Sequence, residues 1–194
     1  IKAYAETLAL GEVDDPEQQK MFCNVINDEV TRLARFIDDL LHLSRMEVGA
    51  TTLQLQITEM GRLMEETAEK VRSQMTQKDI QFSVELPGKL PELIVDKDKL
   101  AVAIINLLGN AAKYTADGGS VRMCVSLPDD ALQIDVEDTG IGIAPDELPK
   151  VLEKFYRSSD PRVHGETGSG LGLSLAHEIV RLHGGKLSVS SELN

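Results

Sequence analysis

The sequence of 194 residues has no tryptophan, and its aromatic share is only 4%. Any core must therefore be mostly aliphatic. Long apolar runs are missing too. The longest, Leu100 to Leu108, is interrupted by polar residues at helical spacing, so nothing here spans a bilayer or has the form of a signal peptide. Cysteine is scarce. Cys23 and Cys124 stand far apart without metal-ligand spacing, which predicts two reduced, largely buried thiols in a cytosolic protein rather than a disulfide. Positive charge is in deficit, with 20 basic against 32 acidic residues and a formal net charge of -12. Residues 1–50 carry five basic and ten acidic residues, and the rest carry fifteen and twenty-two. No basic stripe exists, so a nucleic-acid backbone or an anionic membrane surface is excluded as the main partner.

What is present is an ordinary globular composition, 42% hydrophobic and 27% charged. The length suits one large domain or two small ones. Residues 1–48 have a helical pattern. Ile1, Tyr4, Ala5 and Leu8 form one stripe, a polar turn follows from Gly11, and Asp15-Pro16 is a cap followed by a first helical residue. Ile26, Val30, Leu33, Ile37 and Leu40 then repeat in steps of four and three up to Met46-Glu47-Val48-Gly49. That is a heptad seam. A hairpin this thin cannot bury its own seam, so it predicts pairing with a second chain as a four-helix bundle.

Gly49 to Thr52 has the composition of a linker, and the pattern changes beyond it. Leu53, Leu55 and Ile57 alternate as a strand, and Glu59 to about Gln77 is helical. Ile80 to Leu86 and Leu93 to Val95 are strands, and Asp96 caps a helix running to about Tyr114. Val121 to Leu127 and Leu132 to Val136 make a hairpin about Asp129-Asp130. A short helix is expected after Pro145, then a polar glycine-rich stretch from Tyr156 to Gly170. A last helix runs from about Leu171 to His183, and Leu187 and Val189 begin a strand. The expected fold is α+β, one sheet covered on one face by helices.

Three groups of residues carry chemistry. Asn106, Asn110 and Lys113 share one face of a helix, opposite the apolar Leu100, Ile104, Leu107, Leu108 and Ala111. Amide oxygens suit Mg²⁺, and a lysine beside them can hold phosphate. Polar residues alone would equally describe a solvated face. Asp138-Thr139-Gly140-Ile141-Gly142 ends a strand with an acid, which can accept from a ligand amino group, and with glycines that admit close approach to the backbone. A plain strand-ending turn has the same look. Gly168-Ser169-Gly170-Leu171-Gly172 opens a helix whose free amides suit phosphate. It is neither a dinucleotide fingerprint nor a Walker loop.

Together and in this order, the groups resemble the sensor histidine kinases of two-component signalling. Asn106 to Tyr114 is similar to their N box, Asp138 to Ile143 to the first glycine box, Phe155-Tyr156-Arg157 to the F box, and Gly168 to Leu173 to the second glycine box. Asp39 to Met46 resembles the end of their dimerisation hairpin. The resemblance covers essentially the whole chain. It implies a dimerisation hairpin over 1–50 forming a dimeric four-helix bundle, then, over 51–194, an α/β sandwich of the Bergerat (GHKL) ATP-binding type. It further implies that Asp138 holds the adenine amino group, with Gly140 and Gly142 letting the base lie against the backbone. Asn110 with Asn106 would engage Mg²⁺, Lys113 would touch phosphate, and Tyr114 would line the site. Gly168, Gly170, Leu171 and Gly172 would belong to a mobile lid, in which Arg157 or Arg162 could meet phosphate charge. The reaction implied is phosphoryl transfer from MgATP to a histidine, then to an aspartate of a response regulator receiver domain, in a cytoplasmic homodimer whose membrane contact lies outside these residues.

Two departures bear on that reading. The His-Glu-x-x-Thr-Pro-type box that holds the family's phosphoacceptor is not in this sequence, and the strand that usually follows Asn194 is not either. The sequence is therefore expected to be a trimmed piece, able to bind MgATP but not to phosphorylate itself. His42, His164, His177 and His183 are read as structural, His183 as a cation suited to a helix end. Three rivals stay open: another enzyme of the same superfamily, such as a gyrase-type ATPase or a serine-phosphorylating anti-sigma factor; a module that binds ATP only to change shape; and a purely structural dimer. Turnover without a histidine acceptor, intact binding without transfer, and absence of nucleotide binding would separate them.

Overall fold

The structure is a computed structural model that describes residues 1–47, 51–166 and 168–194. It divides into two compact units, Ile1–Arg45 and Met46–Asn194. Part of the expected linker, residues 49 and 50, lies outside the described residues.

Two helices dominate the first unit, α1 (Lys2–Ala9) and α2 (Pro16–Glu47). Asp15 Oδ1 accepts the Glu17 amide at 3.2 Å, the cap expected of Asp-Pro. The rings of Tyr4 and Phe22 meet edge-on at 4.8 Å, so α2 folds back on α1. Cys23 is exposed rather than buried, because Phe22 takes the inward position and the next residue lies about 100° round the helix. Along α2 the seam is uncovered, with Val30 and Leu33 each 50% exposed and Ile37 46%. No helix among the described residues is long and apolar enough to cross a membrane.

The second unit is α+β. Its strands are β1 (Gln56–Glu59), β2 (Gln81–Glu85), β3 (Glu92–Val95), β4 (Ser120–Ser126) and β5 (Gln133–Asp138), and its longer helices are α3 (Met60–Gln77) and α4 (Lys97–Tyr114). A one-turn helix α5 (Pro161–His164) and a final helix α6 (Gly172–Leu182) follow. Two ladders form where one sheet was expected. β1 pairs antiparallel with β3, while β2, β4 and β5 lie in the order β2-β4-β5. The chain changes ladder across Pro87 and Pro91, neither of which has an amide to donate. β2 and β4 are parallel, with Phe82 opposite Val121; β4 and β5 are antiparallel, with Val121 opposite Asp138. α4 packs against α3, α6 and the strands. Met60, Met64, Met75, Ile104, Leu108 and Met123 are nearly inaccessible, so methionine fills the space that scarce aromatics leave.

Other differences from expectation have local causes. β1 starts only at Gln56 because the Gln54 amide goes to the Asp96 carboxylate at 2.9 Å instead of into a ladder. After Pro145 the chain makes successive turns rather than a helix; its bonds are mostly of the tighter i to i+3 kind. α5 starts with Asp160, whose Oδ1 accepts the Arg162 amide at 2.8 Å, the same Asp-Pro signal as Asp15-Pro16. No strand forms at Leu187 and Val189. That end of the chain is held at residues 140–143 instead, where Ser191 Oγ accepts the Ile143 amide at 3.0 Å and the Asn194 amide reaches the Ile141 carbonyl at 3.0 Å.

Candidate functional site

The site is built on α4. Its N-cap, Asp96, is 2% exposed and fully engaged. Oδ1 accepts the Lys99 amide at 3.1 Å, and Oδ2 accepts the Gln54 amide and Lys99 Nζ, each at 2.9 Å. Burial pushes this carboxyl up, but the amides of Gln54 and Lys99 and the Lys99 ammonium outweigh burial and hold it below the usual carboxylate range. The Asp96 amide donates to Nε2 of His183 at 3.1 Å, and His183 Nδ1 lies 2.8 Å from the Ile179 carbonyl. Those partners suit a neutral ring with its proton on Nδ1, not the cation expected for a helix end. His183 thus ties α6 to the start of α4, a role that its place after the final helix did not announce.

Asn106 and Asn110 stand on successive turns of α4. Asn106 Nδ2 donates to the Val102 carbonyl at 2.9 Å, which leaves Oδ1 without a hydrogen bond among the described residues. Asn110 is half-buried, and its amide makes no hydrogen bond among the described residues. Lys113 Nζ donates to the Tyr114 hydroxyl at 3.0 Å and lies 4.6 Å from that ring's centroid. The second glycine run comes directly onto this face. A Cβ on Gly172 would lie 2.7 Å from Asn106 Oδ1, and one on Gly168 would lie 2.6 Å from Lys113 Nζ. The glycine run that opens α6 therefore meets one amide and an ammonium, a combination that suits phosphate and its counter-cation.

Asp138 stands at the end of β5 on the helix-facing side, in register with buried Val121. Its Oδ1 accepts the Gly140 amide at 2.9 Å, and its Oδ2 has no partner among the described residues. Gly140 is buried, and a Cβ there would lie 2.7 Å from the Tyr114 carbonyl, which accepts the Ile141 amide at 3.2 Å. The first glycine box and the end of α4 are thus one junction. Gly142 has φ +72°, and a Cβ there would run into the Glu192 carbonyl. Its close approach is to the chain's own backbone.

The segment expected to form the lid is tied internally and also to its surroundings, where Arg162 Nη1 donates to the Asn194 carbonyl at 2.9 Å. Arg157 donates to the carbonyls of Gly168 at 3.0 Å, Val163 at 2.9 Å and Glu166 at 2.6 Å. Its guanidinium shapes the loop in this structure. Arg162 pairs with Asp160 at 2.8 Å. Gly170, at φ +71°, accepts the Phe155 amide at 3.0 Å, so the F-box element and the second glycine box are bonded to each other. Leu171 is buried and its amide turns to Ser169 Oγ at 3.2 Å. Sequence reasoning missed Glu147. It accepts Ser158 Oγ at 2.5 Å and the Ser159 amide at 3.0 Å, and these bonds hold its carboxyl below the usual carboxylate range. Nothing separates Glu147 in the sequence from the other acids of its charged stretch.

A shallow cavity of about 400 Å³ lies at the sheet end, where Gln81, Ser83, Arg122 and Glu137 line it together with Asp138 and Thr139, so it borders the candidate site. Among the described residues no cluster of histidine, cysteine and acidic side chains could hold a metal.

Residues 95–194 match the family described as histidine kinase-, DNA gyrase B-, and HSP90-like ATPase, and the chain belongs to it. Sensor protein SrrB of Staphylococcus aureus is 28% identical across the whole of this chain, which spans 33% of that protein's length. A structure of full-length ShkA in complex with AMPPNP is 27% identical with a TM-score of 0.79, covering 91% of this chain and 36% of that one. The histidine kinase ThkA in complex with response regulator protein TrrA shares the fold, at 20% identity and a TM-score of 0.68 over 90% of this chain and 47% of that one.

Proposed function

We propose that this chain is the ATP-binding core of a sensor histidine kinase, with residues 1–50 as its dimerisation hairpin and 51–194 as its catalytic domain. The observation that carries this is the meeting of Gly168 and Gly172 with Lys113 and Asn106 on one face of α4, at the end of which Asp138 and Gly140 are joined through Tyr114. Asp138 Oδ2 accepts from the adenine amino group. Gly140 and Gly142 shape the turn beneath the base, and Tyr114 walls the site. Lys113 and the amides of the Gly168–Gly172 run bind phosphate, and the same run hinges the lid that Arg157 shapes.

The residues fit Mg²⁺: Asn110 is uncommitted among the described residues, and Asn106 keeps its oxygen unbonded, facing Gly172, because its nitrogen is bonded to Val102. Asn110 and Asn106 would hold the cation, which would supply neutralisation of phosphate charge. The chain's own work is alignment and electrostatics, which phosphoryl transfer chiefly needs. The acceptor is a histidine outside this sequence, and the onward acceptor is an aspartate of a response regulator receiver domain, a partner class supported by the ThkA–TrrA complex. The uncovered seam of α2 pairs with a second copy, and the location is cytoplasmic.

Asp138→Asn tests the reading cleanly. Asparagine keeps an oxygen for the Gly140 amide, so the turn survives, but it offers the adenine amine a donor instead of an acceptor. Losing a charge-assisted bond of about 1.5–3 kcal/mol should weaken ADP roughly tenfold to a hundredfold in calorimetric titration. Equal affinities of both forms would remove Asp138 from the site.

A further inference from the structure

The C-terminal carbonyls of α4 have no partners within the helix. Ala111 O receives the Thr115 amide at 3.1 Å, and Tyr114 O receives the Ile141 amide at 3.2 Å. The others go to one side chain. Lys78 Nζ donates to Ala112 O at 3.2 Å, Lys113 O at 2.8 Å and Thr115 O at 3.0 Å. An ammonium has three donors, and all three are spent on this one helix end. Lys78 is itself held in place. It ends α3, and its carbonyl accepts the Gly118 amide at 3.0 Å, while the Gln81 amide reaches the Gly119 carbonyl at 2.8 Å. A cation there also complements the negative end of the helix dipole. The carbonyls it gathers flank Lys113 and Tyr114, and Tyr114 carries the bond to the turn that follows Asp138.

We propose that Lys78 is a positioning residue for the nucleotide site: by gathering the Ala112, Lys113 and Thr115 carbonyls, it sets the phosphate-binding end of α4 against the adenine-binding turn at Asp138. It acts through backbone placement and touches no substrate. The proposal rests on the nucleotide reading above and extends it to a residue outside the four boxes. Methionine at 78 keeps the apolar stem and loses every donor. Arginine keeps the charge, but its planar fork cannot aim at three carbonyls in the same way.

The test is ADP titration of the 194-residue chain as wild type, Lys78→Met, Lys78→Arg, Asp138→Asn and the Lys78→Met/Asp138→Asn double variant, at a temperature where circular dichroism shows each folded. Lys78→Met should weaken ADP by about 5- to 20-fold, with Lys78→Arg in between, because small misplacements of binding groups are costly. On the Asp138→Asn background the same change should cost less than about 2-fold, since the placement of residue 138 no longer matters there. A merely structural lysine would lower the melting temperature yet leave the folded protein's affinity intact, or would add independently to Asp138→Asn; either result overturns the proposal. Should Lys78→Met not fold, Lys78→Arg decides. Its ADP affinity must drop and the Ile141 amide resonance must move, and an unchanged pair overturns the proposal. Wild type failing to bind ADP would fell the nucleotide reading and this proposal with it, whereas wild-type binding with an unaffected Lys78→Met would remove Lys78 alone.

Discussion

Glycine boxes are usually credited to the ligand, but two of these glycines should respond to alanine in opposite ways. At Gly142, φ is +72° and the new methyl meets the Glu192 carbonyl, which is backbone and cannot swing aside. The left-handed conformation alone costs an alanine about 1 kcal/mol. Moving Glu192 also strains the Ser191 bond to Ile143 at 3.0 Å, the Asn194 bond to Ile141 at 3.0 Å and the Asn194 side-chain bond to Gly140 at 2.8 Å. At about 0.5–1.5 kcal/mol each, their partial loss brings Gly142→Ala to roughly 2–5 kcal/mol. For a unit of this size that lowers Tm by about 5–15 °C. Gly168 differs, because the atom a methyl would meet is Lys113 Nζ at 2.6 Å, the far end of a flexible side chain. Gly168→Ala should cost under about 1 kcal/mol of stability while displacing the ammonium proposed to bind phosphate. Thermal melts without nucleotide, followed by ADP titration, separate the cases. Gly142→Ala melting with wild type, or Gly168→Ala melting far below Gly142→Ala, would refute the reasoning.

Three further outcomes are expected. Asn110→Ala should hurt MgATP binding much more than metal-free ADP binding in parallel titrations, with the helix intact because its apolar face is untouched; equal losses would make the residue structural. Ile37→Glu would bury an unpaired charge in the α2 seam and should dissociate or unfold a dimer, so light scattering should report a larger species for wild type than for the variant. Asp96 has a folded-state pKa below its unfolded value, so its stabilisation is present above the unfolded pKa of about 4 and is lost as pH falls through the folded value. Wild type and Asp96→Asn should therefore differ in unfolding free energy at pH 7, and the gap should close in acid; a gap constant down to pH 2 would contradict this.

The helices of the second unit were legible because their signals are local. Asp96 caps α4 as its type and place foretell, and the Leu63, Met64, Ala68, Val71 spacing buries one face of α3. The short elements were less legible, since each was decided by a long-range bond. Gln54 lies 42 residues from the carboxylate that draws it out of β1. The segment beyond Leu187 has strand-like alternation, yet its amide and hydroxyl groups reach the 140–143 turn one at a time rather than as a ladder. The expected glycine-rich stretch from Tyr156 to Gly170 contains the one-turn α5, whose Asp160-Pro161 start repeats the signal of Asp15-Pro16.

In the candidate site, the residues read as ligand contacts were conspicuous in the sequence, and those that hold them still were not. Asn106, Lys113, Asp138 and the glycines stand out because a carboxylate, an amide face and bare backbone are chemically conspicuous. Lys78, Glu147 and His183 do not, since any charged surface residue looks the same until its partners are known. Arg157 lies between these groups. A guanidinium in a glycine-rich loop suggests phosphate, yet three of its five donors already go to carbonyls within 3.0 Å. A phosphate contact that reoriented the guanidinium would exchange those bonds for new ones, and its net gain would be smaller than the charge alone implies. The same exchange would free the Val163, Glu166 and Gly168 carbonyls. Only a contact through the two remaining donors would leave the loop as it is, so the readout that separates the two is whether an Arg157→Lys variant loses nucleotide affinity without a change in the loop's amide resonances.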